Sequence, residues 1–370
     1  MDIEPHLIMM ARMKREHKKL VREKLSRLMH VLEGKRTLLI VMQDFPDPDA
    51  IAAAAALREL VKSFQEITTT LACGGFVGRA ENRALLKYLG LNIKSLDGIN
   101  LEQFSAIAVV DTQPGAGNNG LRRDVVPDIV IDHHPMRPQS RKSSFFDVRR
   151  PYGATSTIMH EYLLVADIPL SVPLATALLY GIRSDTADLG REAIRADINA
   201  YLALYPICNK RMLGRIAMAR VPRSYFRAIG MGLTNAHSAG NCVYTLLGSV
   251  ETPDIVSEIA DLLLRDEETT WALCIGAYGG QLLLSLRTSD LQANAGKLMS
   301  RLVGRAGTGG GHSVMAGGQM PVADPDPAVF HKLAHETIAR FLRILGNASS
   351  QPSLLMGEDG EDEEAAAIWR

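Results

Sequence analysis

The hydrophobic positions of this chain change period several times, and each change marks an element. Between Glu4 and Leu32 apolar residues at Met13, Leu20, Val21, Leu25, Leu28, Val31 and Leu32 recur among lysines and arginines. That spacing predicts an amphipathic helix, packed on the body of the protein or on a partner subunit, with Gly34 ending it. Short continuous apolar runs then alternate with helical patterns. Thr37–Met42, Ile67–Ala72, Ala106–Val110 and Asp128–Ile131 predict buried strands. Ala50–Ser63, Ala80–Leu89, Gly153–Val165, Pro173–Asp185 and Ala196–Ala203 predict helices. Uninterrupted apolar strands between helices imply an α/β architecture, an open parallel sheet covered on both faces. Ligands of such sheets bind at the carboxyl ends of the strands.

The pattern changes beyond a boundary near Met218–Arg227. Cys242–Leu247, Ala272–Tyr278 and Gln281–Leu286 predict strands, and Gly279-Gly280 between the last two is a hairpin signal. Helices over Ile255–Leu264, Asn294–Val303 and Pro327–Leu345 complete a smaller mixed α/β domain. The expected organisation is an N-terminal helix (1–34), a parallel-sheet domain (35–216), a linker (217–235), a mixed domain (236–346) and a polar, then acidic, disordered tail (347–370).

Composition narrows the function. Forty-one basic and 41 acidic residues leave no net charge, which argues against a protein living on long DNA or RNA. A small anionic substrate in a locally positive cleft stays open. Cys73, Cys208, Cys242 and Cys274 are scattered, with no Cys-x-x-Cys, so neither a zinc knuckle nor a disulfide framework is indicated. No apolar stretch is long enough to span a membrane and the N-terminus lacks a signal-peptide core, so the expected setting is cytoplasmic.

Four acidic or histidine clusters fall at the ends of predicted elements: Gln43-Asp44-Phe45-Pro46-Asp47-Pro48-Asp49, Asp111-Thr112-Gln113-Pro114, Asp132-His133-His134, and Ser184-Asp185-Thr186 at the end of an apolar helix. Singly, each has an ordinary explanation. Asp49 reads as a helix N-cap and Asp111 as a turn residue. An acid and two imidazoles leaving a strand together, however, are costly to bury unless something binds them. Asp47, Asp49, Asp111, His133 and Asp185 form an oxygen-and-imidazole donor set, better suited to Mn2+ or Mg2+ than to thiolate-preferring zinc. A shared carboxylate would allow two ions and phosphoryl hydrolysis. In the second domain Gly307-Thr308-Gly309-Gly310-Gly311-His312 reads either as a flexible surface loop or as a run whose amides approach an anion; His312 and Arg287, at a strand end, favour phosphate or nucleotide binding. It is not a Walker loop, since no Gly-Lys-Ser/Thr follows.

Taken in order, these motifs resemble the DHH phosphoesterase family, in its two-domain type with a DHH-associated C-terminal domain, over roughly Arg36 to Leu345. Members include RecJ-type exonucleases, nanoRNases that also dephosphorylate pAp, cyclic-dinucleotide phosphodiesterases, and some pyrophosphatases and exopolyphosphatases. The short build is most similar to nanoRNase and pAp phosphatase. The resemblance implies that Asp49, Asp111, His133 and Asp185 hold one ion, and that Asp47, Asp111 and position 43 hold another. It implies that His134 orients the site or touches phosphate, with Asp111, His133 and His134 catalytic. Gly309, Gly310, Gly311, His312 and Arg287 would grip the substrate from the second domain. This chain departs from the family's His-x-Asn-x-Asp-x-Asp: Gln43 stands for the histidine and Phe45 for the asparagine. A glutamine carbonyl is a poorer ligand for softer metals, so the first metal site is expected to be weak.

The expected function is hydrolysis of short oligoribonucleotides, linear dinucleotides or pAp by two ions, Mn2+ or Mg2+. Two alternatives compete: a nucleotide-binding protein with weakened catalysis, from Gln43 and Phe45, and a polyphosphate or pyrophosphate hydrolase. The basic N-terminal helix is compatible with a homodimer contact.

Overall fold

The computed structural model describes residues 15–311, 313–322 and 326–357. The chain divides into two compact units at Arg220/Val221. In the first, the N-terminal helix is observed over Arg15–Leu32, and the earlier residues of the predicted helix lie outside the described ones. Val21, Leu25, Leu28 and Leu32 are buried in the core of this unit, while Leu20 faces solvent. Polar ties fix the helix as well: Lys24 pairs with Asp147, and His17 Nε2 lies 2.9 Å from Glu161 Oε1.

Six parallel strands follow: β1 (Thr37–Val41), β2 (Thr68–Cys73), β3 (Ile93–Ser95), β4 (Ala106–Val110), β5 (Ile129–Asp132) and β6 (Phe145–Val148), in the order β3-β2-β1-β4-β5-β6. The parallel-sheet α/β prediction is correct. β3 and β6 are short edge strands with polar residues inside them, so no apolar run announces them. The strand order reverses between β1 and β4, the switch point at whose carboxyl edge such sheets bind ligands. Registry aligns the exits: Val41 faces Val109, and Val110 faces Ile131. Gln43, Asp111 and Asp132 therefore leave the sheet at one edge.

The helix Pro48–Phe64 buries Ala50 and Ala52 through Ala56 completely or nearly so. Methyl-sized side chains let the helices Thr155–Val165 and Val172–Asp185 approach its backbone closely.

The second unit is a mixed seven-stranded sheet: β7 (His237–Ala239), β8 (Cys242–Ser249), β9 (Trp271–Tyr278), β10 (Gln281–Thr288), β11 (Thr308–Gly311), β12 (Met315–Pro321) and β13 (Ser353–Leu354), ordered β11-β12-β10-β9-β8-β7-β13. Among the described residues only β8 and β9 pair in parallel. Gly279 and Gly280 take φ of 54° and 73° in the β9–β10 hairpin, the left-handed pair such a turn demands. One face packs on the helix Asp254–Leu263 through Val256 and Ile259, the other on Ala295–Val303 and Pro327–Ile344 through Met299 and Phe341.

Three sequence expectations are corrected here. The segment read as a linker carries the helix Arg223–Thr234, whose Gly232 packs against Ile259 and Leu247. The glycine run read as a flexible loop is the strand β11, paired antiparallel with β12. The tail read as disordered from 347 contributes β13, which pairs with β7; its acidic residues from 358 lie outside the described ones.

Candidate metal centre

Loops leaving β1, β4 and β5 converge at the switch point. After β1, the N-cap of the helix Pro48–Phe64 is Asp47, not Asp49 as its sequence position suggested: Asp47 Oδ1 accepts from the Ala50 amide at 2.9 Å. Its other oxygen accepts from Gln43 Nε2 at 2.8 Å. Asp49 is thereby left for a distant task. Fully buried, it accepts from the Thr155 and Ser156 amides at 2.6 and 2.8 Å. Those are the first amides of the helix Thr155–Val165, where unpaired N–H groups and the helix dipole both favour an anion. Gly181 makes the approach feasible, since a Cβ there would lie 2.5 Å from Ser156 Oγ and 3.1 Å from Asp49 Oδ1.

Asp111 follows β4 with φ of 58°, a left-handed turn that aspartate tolerates better than most residues. Its side chain is fully buried. Oδ1 accepts from Thr155 Oγ1 at 2.7 Å, while Oδ2 has no hydrogen-bond partner among the described residues. After β5, His133 Nδ1 donates to the Tyr152 carbonyl at 3.0 Å, which points Nε2 at Asp185 Oδ2 (3.2 Å) and Asp111 Oδ1 (3.6 Å). His134 Nδ1 lies 2.8 Å from Asp132 Oδ1, and its side chain is 31% exposed, more open than His133 or Asp185. Asp185, at the end of the helix Val172–Asp185, meets the cation it needs in His133.

Two groups have ligand atoms all within 4.8 Å of one another: Asp49, His133 and Asp185, and Asp111, His133 and His134. The structure thus brings together Asp49, Asp111, His133, His134 and Asp185. Gln43 and Asp47 adjoin them but are bonded to each other, and Asp47 belongs to neither group.

Crowding buried acids has an electrostatic cost. Burial, then the charges of Asp185 and Asp49, push Asp47 up to about 7. Burial and Asp185 raise Asp49 to about 6. Asp111 is held well above the usual carboxylate range by burial and by Asp49, Asp47 and Asp185. Burial disfavours the His133 imidazolium, but its bond to Asp185 and the surrounding carboxylates outweigh this and raise it to about 10. Asp132 goes the other way, to about 2, because His134 and a Gln113 hydrogen bond overcome its burial. A concentration of negative charge with a buried, unpartnered carboxylate oxygen and an imidazole nitrogen fits a divalent cation of the Mg2+ or Mn2+ kind.

Several supporting residues escaped the sequence reading. Thr155 bonds both Asp49 and Asp111, 106 and 44 positions away, and no local pattern announces that. Tyr152 is held by Arg149 and Glu161, in a buried network with Asp147 that reaches His17 and Lys24. Asp197, fully buried, accepts from the Gly153 amide and Thr157 Oγ1, fixing the start of the helix Thr155–Val165. Gln113 was visible inside its motif but not as a clasp.

In the second unit Gly309 and Gly311 are explained by packing. A Cβ at Gly309 would lie 2.8 Å from Met299 Cγ, and one at Gly311 2.2 Å from the Met315 carbonyl. Gly310 has open space where a Cβ would stand. Arg287 is buried at the end of β10 and occupied by Asp261, Ser285 Oγ and the Leu286 carbonyl. His312 lies outside the described residues.

Residues 38–182 match the model of the DHH family's N-terminal domain, and residues 239–340 match the DHHA1 domain. The chain belongs to the DHH family. DHH proteins are metal-dependent phosphoesterases, and Asp49, Asp111, His133 and His134 lie within the matched residues, with Asp185 just beyond them. This DHH protein is 32% identical over 320 residues to an uncharacterized protein of Methanocaldococcus jannaschii, covering 85% of this chain. The chain spans 65% of that relative's length. An exopolyphosphatase-related protein from Bacteroides fragilis shares the fold, with a TM-score of 0.67 at 15% identity over 88% of this chain and 98% of that one. No helix among the described residues is long and apolar enough to cross a membrane.

Proposed function

We propose that this DHH protein hydrolyses phosphoesters of short oligoribonucleotides, linear dinucleotides or pAp with a divalent ion held by Asp49, Asp111, His133 and Asp185. The observation that carries this is the buried Asp111, whose Oδ2 has no partner amid donors already converged on one point. A bound Mn2+ or Mg2+ would supply Lewis acidity toward the phosphate. The protein's own contribution is preorganisation. Thr155 aligns Asp49 and Asp111, and the Tyr152 carbonyl keeps the His133 Nδ1 proton in place so that Nε2 faces the ligand position. His134, steadied by Asp132, presents its outer nitrogen to a substrate phosphate. In the second unit, Gly310 has open space beside its backbone and would bind an anion.

The test is release of mononucleotide or phosphate from pAp, pApA and short oligoribonucleotides with Mn2+, beside inorganic pyrophosphate and polyphosphate. Loss in Asp111→Ala and His133→Ala is expected. Activity surviving both changes overturns the assignment, and turnover of the inorganic substrates alone overturns the substrate class.

A second reading, weakened catalysis, is favoured by one contact. Gln43 donates its amide to Asp47, in the position where a second ion would be shared. The Gln43→His variant would then bind one more Mn2+ per chain and gain turnover, whereas fast wild-type turnover with two bound ions rejects this reading.

A further inference from the structure

The segment leaving His134, Pro135 through Ser144, contains no acidic residue but carries Arg137, Arg141 and Lys142. All three are exposed, and no carboxylate among the described residues pairs with them. In a chain of zero net charge this is a local excess of three positive charges.

The segment is also held rigidly. Gln113, 1% exposed, uses its whole amide on it: Nε2 donates to the Pro135 carbonyl (3.1 Å) and to Asp132 Oδ2 (2.6 Å), while Oε1 accepts from the Arg137 amide (2.7 Å) and Ser140 Oγ (2.9 Å). Ser140 is fully buried beneath the 3-10 turn Pro138–Lys142. Asp132, on the same amide, holds His134. Arg137 is thus tied to His134 through Gln113 and Asp132, with the cations outward and the anchors inward.

We propose that Arg137, Arg141 and Lys142 form a rail for the phosphates of an oligoribonucleotide beyond the scissile one. This rests on the phosphoesterase reading and adds a substrate property, a preference for length. A mononucleotide or dinucleotide reacting at the metal cluster would leave the rail empty. Gln113 is the positioning residue that keeps rail and cluster in register.

The test compares wild type with R137Q/R141Q/K142Q in Mn2+, on pApA and on a five-nucleotide oligoribonucleotide. KM for the longer substrate should rise about tenfold, from three exposed ion pairs lost, with both parameters for pApA unchanged. The slope of log KM against log salt should fall by about 2, near 0.7 for each single-strand phosphate released. R137K/R141K, which keeps the charge, should behave as wild type. Equal effects on both substrates, or no effect on the longer one, overturns the rail. If the wild type hydrolyses neither nucleotide, the functional reading fails separately. Fluorescence anisotropy of the labelled five-nucleotide strand with metal-free protein then decides: weaker, less salt-dependent binding by the triple variant supports the rail, and equal binding overturns it.

Discussion

Gly181→Ala sets two effects of opposite sign against each other at the metal cluster. In an ordinary helix interior the change favours folding by about 1 kcal/mol, because alanine is the better helix former. Here the new Cβ would stand 2.5 Å from Ser156 Oγ, 3.1 Å from the Asp49 Cα and 3.1 Å from Asp49 Oδ1. Ser156 Oγ can rotate away; the Asp49 backbone, inside the alanine-rich helix, cannot. Overpacking of this kind costs about 1–3 kcal/mol. Any movement of Asp49 also strains its bonds from the Thr155 and Ser156 amides, each worth about 1.5–3 kcal/mol as a bond to a charged group. Repulsion and lost bonding exceed the propensity gain, so a net destabilisation of about 1–3 kcal/mol is expected. Urea unfolding of the metal-free protein measures it, and calorimetric titration with Mn2+ should show weakened binding. Adding Ser156→Ala should recover part of the stability but not the metal affinity, because the Asp49 contact remains. A Gly181→Ala protein more stable than wild type, with unchanged Mn2+ affinity, would refute the packing argument.

Metal-free stability should fall as pH rises. Asp47 and Asp49 are raised to about 7 and 6, so the folded state retains protons that the unfolded chain releases near 4, and stability declines through that window. His133, raised to about 10, contributes stability that is complete below about 6.5 and lost toward 10. Thermal unfolding in chelator should therefore give a lower Tm at about pH 8 than at about pH 5, with Mn2+ narrowing the gap; a flat profile rejects the charge assignment. Arg149→Met removes the buried cation shared by Asp147 and Glu161, leaving them Lys24 and His17, and should cost about 3 kcal/mol in urea unfolding. Gly309→Ala should lower stability through its clash with Met299, while Gly310→Ala, with open space around it, should leave Tm unchanged and raise KM. Equal stability losses in the two glycine variants would contradict the division between packing and binding.

Local pattern carried much of this protein. The apolar run Ala106–Val110 announces a strand, and the alanine-rich Pro48–Phe64 a helix, because alanine is the best helix former. The clustered Asp and His residues at element ends announced a cation because their burial is otherwise unfavourable. What pattern could not supply was the partner of each group. Whether Asp47 or Asp49 capped the helix depended on Thr155 and Ser156, brought near by the fold, and the glycine run became a strand because β12 and Met299 stand beside it. The role of Gln113 likewise required Asp132, Pro135, Arg137 and Ser140 in place around one amide. Sequence by itself determined the central strands and helices and which residues could ligate, since both follow from side-chain chemistry and spacing; the edge strands β3, β6, β11 and β13 needed their neighbours. Only tertiary structure decided who bonds to whom, because hydrogen bonds and charge repulsion act over a few ångströms between residues more than a hundred positions apart.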